Sequence, residues 1–311
     1  MGQVISILII FMLISMQYSK PSYSVQNQIE RLKGKGLQFE KEYEAESFFQ
    51  YNNYYRWKGY AYHFQDHNAL NSLFTKTTHF ETITEIYNFD RELRSLIFSS
   101  IETIEIALKA QIIYQYSLVY GSHWYLNPDL FRDKRMYLDS MKVLFGEVSG
   151  SKEMFIGHYL NKYNDPSLPP VWSCLEIVSF GYMSKFFKNL KGGNCKKDVA
   201  QMFGLADPNI LDNWIQCISV LRNICAHHGR LWRRKFLPVT IPKNPSKCFV
   251  NDIGSPFDLY APICCIKYLS DRINPNNDFK EKLKILLNKY PSIDTKYLGF
   301  PLDWKQEMFW K

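Results

Sequence analysis

Two stretches of this chain repeat apolar residues at the period of a helix. From about Glu81 to Tyr120 no Gly or Pro interrupts the run until Gly121. Within it Leu93, Leu96, Ile97, Ile101, Ile104, Leu108 and Ile112 recur at helical spacing. Glu92, Ser95, Ser99, Glu102 and Lys109 form a more polar face, and Glu105 and Lys109 stand four apart, as an ion pair requires. The second stretch opens at Asp207-Pro208, where Asp can cap and Pro is tolerated at the first helical position. Asn209 to His228 then runs without a breaker, and Gly229 suits the stop. At about 100° per residue, Leu211, Trp214, Ile215, Ile218 and Cys225 share one face. Gln216, Ser219, Asn223 and His227 make a polar stripe, with Asn223 and His227 as neighbours. Arg222 falls on the apolar side, roughly 140° from His227. It completes a site with His227 only by reaching round, or through another element or a second subunit.

The remaining elements are shorter. Ser22 and Ser24 can cap a helix through Val25, Ile29 and Leu32 that Gly34 and Gly36 stop. Glu42 to Gln50 predicts a second helix, and Asp66 to His79 a polar loop. After the turn 121–128 come helices over 129–145 and up to Tyr163, separated at Gly146 to Ser151. Val171 to Leu190 reads as one helix despite Gly181, whose missing side chain gives room for a close crossing. A short helix over 196–203, an irregular excursion over 237–251 with three prolines, and helices over 255–273 and 279–289 complete the chain. Strand signals are sparse and no repeat stands out. The expectation is an all-α protein: a helical bundle built round the two long helices, with an N-terminal helical subregion near residues 20–80 and C-terminal helices, over one domain from 20 to 311.

Composition adds three constraints. With 46% hydrophobic and 16% aromatic residues, a chain of 311 can bury a sizeable core. A net charge of +8 favours anionic partners, nucleic acid or a membrane surface. Local clusters stand at Lys196-Lys197 and at Arg230, Arg233, Arg234 and Lys235. Such clusters read either as solvated faces or, for the second, as phosphate contacts following the helix. Seven cysteines, an odd number, show no CxxC spacing, and Cys174, Cys217, Cys225, Cys264 and Cys265 read as small hydrophobes of a reducing cytoplasm. Cys225 with His227 and His228 invites a zinc site, but no second ligand cluster accompanies them, so neither metal nor cofactor is expected. Residues 1–19 form an N-terminal extension whose apolar stretch, Val4 to Ile14, is too short to span a bilayer and lacks a basic start and a cleavage site. They read as an upstream start ahead of Met16, or as a membrane-associated segment.

Chemistry gathers at Arg222, Asn223, His227 and His228. Arginine is a permanent forked phosphate clamp, and histidine passes protons near neutral pH. Asparagine orients an imidazole or holds a phosphate oxygen. Taken singly, His227 also reads as a core histidine. Glu102 or Glu105, across the bundle, can partner Arg222 or His227. The tract 51–64 interleaves Tyr54, Tyr55 and Arg56 with Trp57 and Lys58, which reads as a packing turn or as base-stacking residues beside phosphate contacts.

Arg222-Asn223-x-x-x-His227 resembles the R-N-x-x-x-H signature of HEPN-type ribonucleases. The longer R-N-x-C-A-H-H-x-R-L-W resembles the abortive-infection (Abi) phage-resistance family, its AbiD- and AbiF-like members in particular. Four further blocks agree in family order: Asn53 to Tyr60, Phe89 to Lys109, Trp172 to Ser184, and Gly299-Phe300-Pro301-x-x-Trp304. The resemblance runs from about Lys20 to Trp310.

The resemblance implies a HEPN-type bundle and a metal-independent endoribonuclease toxin of phage defence. In that chemistry the RNA 2′-OH attacks its own phosphate, leaving a cyclic phosphate and a 5′-OH. His227 then transfers protons, with His228 able to share the role. Arg222 steadies charge on the phosphate, and Asn223 orients the two. One Arg-x4-His element per chain implies a homodimer, and a small RNA or a neighbouring gene product acts as antitoxin in some similar proteins. The tyrosine two places after histidine, a nucleotidylation mark in some relatives, is replaced by Gly229. A non-catalytic RNA-binding module and a membrane-associated defence sensor are the competing readings.

Overall fold

The 41-residue helix Phe80–Tyr120 is the longest element in a computed structural model that describes residues 19–68, 72–75, 77–242 and 249–311. The expectations about an upstream start and a membrane-associated segment fall on residues 1–18, outside the described ones. The chain divides into two compact units, one ending at Thr84 and one running from Glu85 to Lys311.

The first unit is built on three helices: α1 (Val25–Lys33), α2 (Glu42–Tyr51) and α3 (Tyr54–Ala61). Ser24 caps α1, its Oγ accepting the Asn27 N–H at 3.2 Å. Ile29, Leu32, Ala45, Phe49, Trp57 and Tyr60 are buried. Phe80 stacks on Trp57 with ring centroids 5.5 Å apart. The tract 54–61 is a helix rather than a turn. Asn53 starts it, its side chain accepting the Tyr55 N–H at 2.8 Å. The expected loop after it contains an antiparallel pair of two-residue strands, β1 (Gln65–Asp66) and β2 (Leu73–Phe74).

The second unit begins inside the long helix, α4 (Phe80–Tyr120), where Leu93, Ile97, Ile101, Ile104, Leu108 and Ile112 are fully buried. It continues through α5 (Lys134–Gly150), α6 (Met154–Lys162), α7 (Val171–Glu176), α8 (Phe180–Asn189), α9 (Asn194–Met202), α10 (Pro208–Ala226), α11 (Tyr260–Ile273) and α12 (Phe279–Lys289). The tightest packing is α10 against α8, with α11 and α9 also on α10. Gly146 does not end α5, because it faces open space and the helix runs on to Gly150. The stretch 171–190 is two helices. Ser179 starts the second, accepting the Tyr182 N–H at 3.2 Å, and buried Lys109 donates to the Val178 carbonyl at 2.9 Å at the break. Gly181 lies inside α8, and an added Cβ would meet Ser219 Oγ at an ordinary 3.8 Å. The crossing therefore leaves room for a methyl group.

Twelve α-helices and one short strand pair, with a few 3-10 turns, make up the regular structure among the described residues. The protein is an all-α bundle, as the hydrophobic periodicity predicts. No helix among the described residues is long and apolar enough to cross a membrane.

Candidate functional site

Helix α10 owes its position to its apolar face. Leu211, Trp214, Ile215, Ile218 and Leu221 have no exposure, and Cys225 has 5%. Asp207 caps it, accepting the Asn209 N–H at 2.9 Å, and Pro208 takes the first helical position. The polar stripe is not simply solvated. Gln216 accepts from Lys188 Nζ at 2.9 Å, Ser219 is buried, and Gly181 backs Ser219 and Asn223. Two signature blocks thus meet here: Ser179-Phe180-Gly181 and Arg222-Asn223.

The helix ends at Ala226, two residues before the expected stop. His227 is its C-cap, and His228 takes the left-handed conformation at φ 55°. Gly229 N–H donates to Ile224 O at 2.7 Å and His228 N–H to Cys225 O at 3.0 Å. This is the Schellman arrangement, with histidine where glycine is usual. The left-handed position costs about 1–3 kcal/mol for a residue with a side chain. Gly229 serves close approach instead, since a Cβ there would lie 2.9 Å from Ile224 Cγ2 and 3.1 Å from its carbonyl oxygen.

The loop after α10 is held by α4. Asp90, with no exposure, accepts Leu231 N–H at 3.0 Å and Trp232 N–H at 2.9 Å. It also pairs with Arg94, whose Nη1 reaches Gly229 O at 3.3 Å. A buried carboxylate with two backbone donors and an arginine is well satisfied. Sequence reasoning missed both residues. The signal was present: Asp90 and Arg94 each stand seven residues before a buried isoleucine of the apolar stripe, Ile97 and Ile101. A charged residue in that register is buried only when paired.

The site residues separate into two groups. Arg222 is part-exposed, its guanidinium carbon 5.4 Å from the centre of the Phe98 ring. Phe98 also lines a cavity of about 410 Å3 with Arg91, Arg94, Glu102 and His228. Asn223 and His227 are exposed, and neither lines that cavity. Among the described residues, neither Glu102 nor Glu105 pairs with Arg222 or His227. Glu105 pairs with Lys109 at 3.1 Å. Burial pushes the Cys225 thiol up to about 12, so it is an inert packing group. The six described cysteines are all free and buried.

The basic run is largely engaged by the fold. Arg230 Nη1 donates to Trp232 O at 2.9 Å. Arg233, at φ 52°, lies 3.7 Å over the Tyr297 ring. Lys235 pairs with Asp258, and Arg234 is exposed. The other cluster corrects the reading of a solvated face: Lys196 is fully buried and pairs with Asp212 at 2.8 Å. Burial pushes the Lys196 ammonium down and the Asp212 carboxyl up, each against its partner's opposing pull.

In the first unit Tyr55 is exposed, Tyr54 packs on Phe49, and Arg56 is half-buried and has partners of its own. One group among the described residues has the residue types and spacing for a metal: Glu40, His79 and Glu81, with ligand atoms within 4.8 Å of one another. Glu81 Oε1 is already used by the N–H groups of Glu40 and Lys41, at 3.1 and 3.2 Å. Cys225, His227 and His228 form no such group among the described residues.

Among curated proteins and solved structures, none matches the chain. The sequence model of the Abi-like proteins matches residues 47–233, a span that runs from α2 through α10 to the basic loop. The chain belongs to the Abi-like protein family, and its role lies in abortive-infection defence.

Proposed function

We propose that the protein is a HEPN-type, metal-independent endoribonuclease, the toxin of an abortive-infection response, working as a homodimer. The observation that carries this reading is the C-terminal end of α10. There Arg222, Asn223, His227 and His228 follow one another at the helix end, ahead of a loop held by Asp90 and Arg94: Arg222 lies against the Phe98 ring, and Asn223 and His227 are open to solvent. A lone copy offers Asn223 and His227 on an open surface, apart from the cavity that His228 lines. A second copy facing it through the same end would bring two such sets together and exclude water. In the reaction the RNA 2′-OH gives up its proton to His227 and attacks the adjacent phosphate. Arg222 stabilises the charge that develops on the phosphate oxygens, the term that usually contributes most. The 5′-oxygen leaves with a proton returned by the histidines, His227 or the His228 beside it, and a cyclic phosphate remains.

The test is cleavage of labelled single-stranded RNA with EDTA present. The parent is compared with His227→Ala and His228→Gly, each checked for melting temperature. The expected outcome is cleavage by the parent to a cyclic phosphate and a loss of about 10²- to 10⁴-fold in His227→Ala, the usual worth of a proton-transfer residue. The glycine variant keeps the left-handed turn, so a loss there instead moves proton transfer to His228, the histidine that lines the cavity. RNA bound by all three and cleaved by none would replace the nuclease by an RNA-binding module.

A further inference from the structure

The first unit contains a cleft of about 560 Å3. Four cations line it: Lys20, ahead of α1, Arg31 within α1, Lys35 just after α1, and Lys58 on α3. No carboxylate lines it among the described residues. The neighbouring Lys33 shows the contrast, being held by Glu30 at 2.9 Å and Glu42 at 2.7 Å. Burial lowers the Lys35 ammonium, and Lys58, Arg31 and Lys20 lower it further. Cations brought together without a counter-charge repel one another, and an entering anion relieves that repulsion.

The aromatic residues supply the other half of a recognition surface. Arg31 donates to the Tyr23 hydroxyl at 2.9 Å and lies 4.4 Å over the same ring, so its guanidinium is oriented before any ligand arrives. Tyr54 is fixed between Phe49 at 5.9 Å and Tyr55 at 5.7 Å. Tyr55 remains 64% exposed, with Lys58 Nζ 5.5 Å from its ring centre. An exposed ring beside cations is the arrangement that stacks a base while its phosphate is neutralised. The volume lies in the range of sites for a single small ligand, about 300–1,000 Å3.

We propose that this cleft holds one nucleotide unit of a single-stranded RNA, its phosphate among Lys20, Arg31, Lys35 and Lys58 and its base against Tyr55. The choice of RNA as the strand rests on the nuclease reading, but the cleft itself performs no chemistry. Arg56, which the sequence groups with Tyr54 and Tyr55, is not among the lining residues, and Lys58 stands there instead.

The test uses the full chain and a short fluorescent RNA that is 2′-O-methylated throughout, so that it cannot be cleaved by its own 2′-OH. Anisotropy is expected to show binding that weakens with salt. Tyr55→Ala, a change at an exposed ring, is expected to weaken it about tenfold or more. Arg31→Gln and Lys58→Gln are expected to weaken it and to flatten the salt slope by about 0.7 for each phosphate that is no longer neutralised. Binding at parental affinity and slope in all three variants, or no binding by the parent, overturns the proposal. A free nucleoside monophosphate that displaces the strand at equal nucleotide concentration overturns the strand as occupant. Inorganic polyphosphate that displaces it, with Tyr55→Ala silent, overturns the base contact. The nuclease reading fails separately: unmodified RNA left intact by a protein whose cleft variants still lose binding removes the cleavage and keeps the cleft.

Discussion

The basic run after α10 and the cleft of the first unit hold cations in opposite circumstances. In the run, Arg230 is bonded to a carbonyl, Arg233 lies on an aromatic ring and Lys235 meets a carboxylate. Those charges contribute to folding. In the cleft, Lys20, Arg31, Lys35 and Lys58 surround a cavity that no carboxylate lines among the described residues. The run is conspicuous in the sequence, whereas the cleft draws on three separate segments and forms no cluster there. A run of like charge is thus weak evidence for a ligand, because nearby backbone and side chains can use it up. Scattered charges that folding gathers are stronger evidence, because their repulsion persists until something neutralises it.

The largest effect tests whether the basic run belongs to the fold. Asp90→Asn keeps the shape but removes the charge that faces Arg94, and it turns one acceptor into a donor opposite the loop N–H groups. Breaking a buried pair from one side costs about 3–5 kcal/mol. Urea or thermal unfolding should show a loss of that size. A loss below about 1 kcal/mol would mean that Arg94 and the loop find other partners, and the contrast between run and cleft would weaken.

A paired substitution tests the contrast directly, because the two changes have opposite expected signs. Arg233→Met removes the cation from Tyr297 and should destabilise by about 0.5–1 kcal/mol. Lys35→Met removes a cation whose charged form is disfavoured in the folded state by burial and by Lys58, Arg31 and Lys20, so at neutral pH it should stabilise slightly. The sign follows from linkage. A lysine held below its ordinary value penalises folding at every pH beneath that lowered value, and the penalty fades as pH rises from it to the ordinary value. Two substitutions that both destabilise would show that Lys35 is supported by its neighbours rather than repelled.

What the sequence revealed follows the same division. The apolar periods of α4 and α10 were legible because each repeats over several turns. The breaks at His227 and Val178 were not, since each depends on a group from elsewhere in the chain or on a non-glycine residue accepting left-handed geometry. Lys109, reaching the Val178 carbonyl, is one such distant cause. Arg222, Asn223 and His227 were legible as candidates by residue type. Their division between the Phe98 ring and an open surface was not, because it depends on which face of α10 the long helix covers. Lys196 read as solvated because its partner Asp212 lies sixteen residues on, in a different helix.

The smallest effect concerns a cation that does have its carboxylate. Lys289 donates to Glu92 at 2.8 Å, and Tyr290 donates to the same group at 2.8 Å. The Lys289 bond, foremost, holds the Glu92 carboxyl below its ordinary range, and the Glu92 bond holds the Lys289 ammonium above its own. The signs are therefore the reverse of those at Lys35. The Glu92 contribution is present above the unfolded carboxyl value and is lost as pH falls through the folded one. The Lys289 contribution is present below the unfolded ammonium value and is lost as pH rises through the folded one. Glu92→Gln should therefore lower the melting temperature slightly near neutral pH, and the difference should shrink as pH falls through the lowered Glu92 value, where the parent loses the same pair. The difference should shrink with added salt, since Lys289 is open to solvent. Parallel pH curves for parent and variant would mean that the Tyr290 hydroxyl rather than the lysine charge carries the interaction. A paired surface cation would then contribute no more to folding than an unpaired one.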